Sequence, residues 1–103
     1  VKAQKVKAEF TNVQTSVGDF NEDRFVMKCD LTYENPLLTM DGGNRVARLH
    51  ARNIDNVHLE KKAIRIAALN FEIAERGVTN VASASIRIEL GEQAEAWYKE
   101  LWG

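Results

Sequence analysis

From Phe25 to Tyr33, apolar and polar positions alternate without interruption: Phe25, Met27, Cys29, Leu31 and Tyr33 fall on one side, Val26, Lys28, Asp30 and Thr32 on the other. A period of two is the signature of a strand with one covered face, and a helix would scatter these five side chains around its axis. A lone strand cannot satisfy its backbone, so the rest of the chain must supply partners for it.

Lys5 to Phe10 offers one, with Val6, Ala8 and Phe10 opposing Lys5, Lys7 and Glu9. Val13, Thr15 and Val17 continue the pattern one residue out of step, which predicts a bulge near Thr11 and Asn12. Gly18 to Asp23 reads as the turn that follows. Asn35 and Pro36 end the Phe25 to Tyr33 strand, Leu37 to Met40 reads as a short strand, and Asp41, Gly42, Gly43 and Asn44 form a dense turn signal. Arg45 to Asn53 alternates again, Ala47, Leu49 and Ala51 against Arg48, His50 and Arg52, and Ala82 to Leu90 gives a last strand.

Val57 to Arg76 reads differently. Leu59, Ala63, Ile66, Ala67, Phe71 and Ala74 share one side of a helical wheel, and His58, Lys61, Lys62, Arg65, Glu72 and Arg76 share the other. Asp55 or Asn56 can cap such a helix and Gly77 can end it. Asn70 falls on its apolar side, where a buried amide would need a partner. Glu92 to Trp102 forms a second, short helix carrying Ala94, Trp97, Tyr98 and Leu101 along one side. The expected fold is therefore α+β: a mostly antiparallel sheet of four to five strands, with one long and one short C-terminal helix packed on one face. At 103 residues it is read as a single domain over 1–103.

The net charge of -1, from 14 basic and 15 acidic side chains, excludes the overall footprint of a histone-like protein. Cys29 is the only cysteine, so an intrachain disulfide is impossible, and with no long apolar run or signal-like start the chain is expected to be cytoplasmic, without a membrane partner.

Chemical motifs are sparse. Asp19, Asn21, Asp23 and Asp30 match the spacing of a calcium loop, but Arg24 stands where the sharp turn wants glycine and the flanks read as strands, so a solvated turn is the expectation. Zinc has only His50, His58 and Cys29 to draw on, and Cys29 lies on the core side of its strand. No phosphate-cradling loop and no nucleophile elbow occurs. No metal, cofactor or catalytic residue is assigned.

Two features remain. Between Arg45 and Arg65 six basic side chains face two acidic ones, and Arg48, His50, Arg52, Lys61, Lys62 and Arg65 form a candidate nucleic-acid surface. The expected fold would split it, because the strand residues and the helix residues would emerge on opposite sides of a two-layer structure. The terminal helix carries Trp97, Tyr98, Leu101 and Trp102, more aromatic area than one edge of a small core needs, and these four are the candidate partner-binding residues. The leading expectation is a non-enzymatic interaction or accessory protein that self-associates or binds a protein partner. A nucleic-acid-binding regulator is the alternative, and a small enzyme using His50 or His58 at a subunit interface is the third.

Overall fold

In the computed structural model, which describes residues 1–17 and 22–102, seven strands follow one another: β1 (Lys2–Val17), β2 (Phe25–Glu34), β3 (Leu37–Asp41), β4 (Val46–His50), β5 (Ile54–Glu60), β6 (Ala63–Ala74) and β7 (Val78–Glu89). One helix, α1 (Ala94–Leu101), ends the described chain. All pairings are antiparallel. β1, β2, β3, β4, β6 and β7 form a closed ring, because β4 pairs with β6 and β7 returns to β1. β5 continues from β4 after a 3-10 turn over Ala51–Asn53 and pairs with the first half of β6.

The expected α+β layering is thus replaced by a barrel. Strands occupy the expected positions around Lys5–Phe10, Phe25–Tyr33, Leu37–Met40 and Ala82–Leu90, and α1 matches the short terminal helix. The Arg45–Asn53 strand stops at His50, whose Nδ1 accepts the Arg52 amide at 3.1 Å and holds the turn that follows. The expected turn over Gly18 to Asp23, and Asp19 and Asn21 of the calcium spacing, fall wholly or partly outside the described residues.

The long helix over Val57 to Arg76 does not exist. Its place is taken by the end of β5, a tight turn at Lys61 and Lys62, and the whole of β6. The physical reason is a change of facing within β6. Ile64, Ile66 and Ala68 point inward, then Asn70 adopts φ +46° and the inward set resumes at Phe71 and Ile73. Inward Ile66 and Phe71, five apart across this change, therefore fall on one side of a helical wheel with the half-buried Ala67 and Ala74. The hairpin before β6 is equally hidden, since Lys62 takes φ +56° where glycine or asparagine usually announces the turn. Asn70 is exposed, not buried, and its carbonyl accepts a hydrogen bond from Asn53 Nδ2 at 3.0 Å.

Left-handed residues also shape β1. Lys5 at φ +54° and Asn12 at φ +53° sit at the two irregular stretches of its pairing, the second at the place where the sequence predicts a bulge. Each bulge adds local twist, and coiling of this kind lets six strands close. The amides beside them are satisfied: Lys5 N–H donates to Asp30 Oδ1 at 3.0 Å, and Val13 N–H to the Asp23 carbonyl at 2.9 Å.

Inward side chains fill the barrel, among them Phe10, Leu31, Leu38, Met40, Leu49 and Ile86. Both ends are closed by single residues. At one end Arg45 lies 4.5 Å above the Phe25 ring, which stacks on Phe10 at 4.4 Å. The same guanidinium donates to Glu22 at 3.2 Å and to Glu75 at 2.9 Å, tying together the approaches to three hairpins. At the other end Trp97, only 1% exposed, seats α1 against the barrel with Ala94 and Leu90. Replacing Trp97 with alanine is expected to cost about 3–5 kcal/mol, read as a lowered denaturation midpoint. Lys62→Gly is expected to gain up to about 1 kcal/mol and to raise Tm, because glycine adopts the left-handed turn without strain.

Candidate functional site

Because the barrel interior is packed, functional groups must be sought on its outer wall and rims. Arg48, His50 and Arg52 surround a shallow cavity of about 200 Å³ with Asn53, Asn70 and Glu72. Arg48 faces Glu72 directly across the β4–β6 ladder. Lys61 and Lys62 occupy the tip of the β5–β6 hairpin, and Arg65 follows on β6.

The two basic groups therefore share the outer wall and are not divided by a sheet. What separates them is length along β6: Arg65 and Glu72 are seven positions apart, or roughly 23 Å at about 3.3 Å per residue. Arg65 is also engaged. Its Nε donates to Glu60 at 2.8 Å, Arg87 donates to the other Glu60 oxygen at 2.9 Å and to Glu89 at 3.3 Å, and Lys7 approaches Glu89 at 3.5 Å. This ladder of alternating charge crosses β6, β5, β7 and β1 at the end of the wall nearest the β5–β6 hairpin, and its two carboxylates offset two of its three basic groups. Hydrogen bonds from Arg65 and then Arg87 hold the Glu60 carboxyl below its ordinary range.

Two other candidate residues, Cys29 and His50, have structural roles. Burial, with Asp30 and Asp41 adding to it, pushes the Cys29 thiol up to about 11, so it is protonated at neutral pH and packs as an apolar group. His50 caps the Ala51–Asn53 turn, and His58 is exposed opposite Arg65. Among the described residues no group of three or more His, Cys, Asp or Glu side chains is arranged to hold a metal, and no helix is long and apolar enough to cross a membrane.

The aromatic set on α1 divides. Trp97 belongs to the core, Tyr98 and Leu101 are half-buried against it, and Trp102 is 45% exposed. α1 packs against β5, whose one hydrogen-bonded strand partner among the described residues is β6 and whose Leu59 is 40% exposed.

One site was not singled out from the residues. Beyond the Lys7–Glu89 pair, β7 leaves β1 and a groove of about 470 Å³ opens along Ala3 to Lys7. Lys5, Lys7 and Lys28 line it, Leu90 and Gln93 form its far side, and Lys7 stands directly opposite Lys28 across the β1–β2 ladder. The available signal was the run of lysines on one face of the first strand.

The Glu60 ladder makes a signed prediction. A carboxyl whose folded pKa is lowered stabilises the fold above its unfolded value near 4.3 and loses that contribution as the pH falls through the folded value. Glu60→Gln should lower stability by about 1 kcal/mol or less at pH 7, as expected for a partly exposed network, and the two proteins should converge in urea melts taken at progressively lower pH.

No protein family, curated protein or solved structure matches the chain.

Proposed function

We propose that this chain is a non-catalytic interaction protein that associates with a second copy of itself through the surface made by α1 and β5. The observation that carries the reading is the exposed Trp102 at the end of a helix packed on a strand whose second edge has no strand partner among the described residues. An edge strand offers a row of backbone donors and acceptors, and large aromatics beside it are the usual anchors of an interface. Leu59 extends the apolar surface along β5, with the half-buried Tyr98 and Leu101 behind it.

The nucleic-acid reading, based on Arg48, His50, Arg52, Lys61, Lys62 and Arg65, is less well supported. Arg65 is committed to Glu60, Arg48 faces Glu72, and the two ends of the set lie far apart along β6.

The test is solution mass by light scattering. The parent chain should exceed the 11.6 kDa of one copy, whereas Trp102→Glu and Leu59→Glu should each return it to that mass with unchanged circular dichroism. A parent chain at one-copy mass across the accessible concentration range, or folded variants that keep the larger mass, would overturn the proposal. Trp97 cannot serve in this test, since it is part of the core.

A further inference from the structure

The groove beside β1 is made by a divergence of two strands. β7 pairs with β1 as far as Glu89, and then the Leu90 and Gly91 amides both turn to the Lys62 carbonyl at 3.0 Å. β1 does not follow. Its segment from Lys2 to Val6 stays beside β2 on one side, paired except at the bulge over Gln4 and Lys5, while on the other side no strand of the described residues reaches it. A stretch of free strand edge is left facing a gap, with Leu90 and Gln93 across from it.

The charge lining that gap is unbalanced, three lysines against Glu89, although Lys5 and Lys28 also border a second cavity with Asp30 and Asp41. Lys7 and Lys28 are direct cross-strand neighbours, an arrangement that like charges disfavour. Glu89 offsets only Lys7, and it also receives Arg87. Lys5 and Lys28 have no ion pair among the described residues. The nearby Asp30 and Asp41, on the β2 and β3 side, each accept a backbone amide, from Lys5 and Gly43 respectively.

We propose that this groove binds an extended acidic peptide, which adds to the free edge of β1 as a further strand and places its carboxylates against Lys5, Lys7 and Lys28. Backbone pairing supplies the register, and the lysines select for charge. The edge open to the peptide is short, Lys2 to Val6, because Lys7 pairs with Glu89, and it bends at Lys5, whose φ of +54° and amide bond to Asp30 Oδ1 leave Lys2 to Gln4 as its extended stretch. A nucleic-acid strand fits less well, because no aromatic ring of the described residues lines the groove for a base to stack on and a sugar-phosphate backbone cannot pair with a strand edge.

The experiment is fluorescence anisotropy at low salt with a labelled peptide of about eight residues in which Glu and Val alternate. Three competitors accompany it: the same peptide with Lys for Glu, its backbone N-methylated form, and oligothymidylate of equal charge. The acidic peptide should bind, the lysine peptide should not, and N-methylation should weaken binding by about tenfold or more, since it removes the backbone donors. Lys28→Glu and Lys5→Glu, both on exposed positions, should each weaken binding by a similar factor with the fold intact by circular dichroism. Trp102→Glu should leave binding unchanged, which separates this groove from the α1–β5 surface. Absence of binding by the acidic peptide, equal binding of the N-methylated peptide, or tighter binding of oligothymidylate would overturn the proposal.

Discussion

The constraint on which the structure depends is that β6 must serve two strands along one edge. Its first half pairs with β5 and its second half with β4, and only the second pairing closes the ring. The change of partner coincides with the left-handed Asn70, level with the 3-10 turn that interrupts β4 and β5. Asn53 bridges the break by donating to the Asn70 carbonyl. On β7 the inward positions also change phase at this level, between Val81 and Ala84, so β6 and β7 turn over together and their pairing stays in register. Without that shared turn, one half of β6 would present its apolar side chains to water.

The same device explains what could and could not be read from the residues. β2 has no irregularity, so its alternation is legible from Phe25 to Tyr33. β1 reverses phase once within its clear stretch, at Asn12, and the slip remains visible because apolar residues resume at Val13. In β6 the reversal falls among short alanine-rich spacers, and a strand with one phase change there has the apolar spacing of a helix. Residue preference strengthened the wrong reading, since alanine, lysine, glutamate and leucine favour helices while tertiary pairing decided for strand. The sites suffered in proportion. Placing Lys61, Lys62 and Arg65 on a helix put them behind the sheet, whereas the hairpin puts them on the same wall as Arg48 but at its far end.

Charge on this wall is organised by closure. Glu60 lies on β5, Arg65 on β6, Arg87 and Glu89 on β7 and Lys7 on β1, residues dispersed in the sequence that become neighbours only when the ring forms. A linear charge count over Arg45 to Arg65 could not register that Arg65 is balanced by Glu60 and that Arg87 shares the same carboxylate. It also could not register the opposite case, in which Lys7 and Lys28 converge across the β1–β2 ladder. Surface charge in a barrel is a property of register.

The two proposed surfaces have a common structural origin at Lys62. Its carbonyl takes the amides of Leu90 and Gly91, and Gly91 at φ +58° redirects the chain there. That redirection pulls β7 away from β1, which frees the edge of Lys2 to Val6, and it launches the segment that becomes α1. A helix of eight residues is too short to persist alone, so its position depends on Trp97 entering the barrel end. Once Trp97 is seated, the helix geometry leaves Trp102 outside, five residues further on. The core tryptophan thus fixes where the exposed one stands, and the anchor at Lys62 fixes how far the groove opens. Closing the barrel end and exposing two surfaces beside it are consequences of one turn.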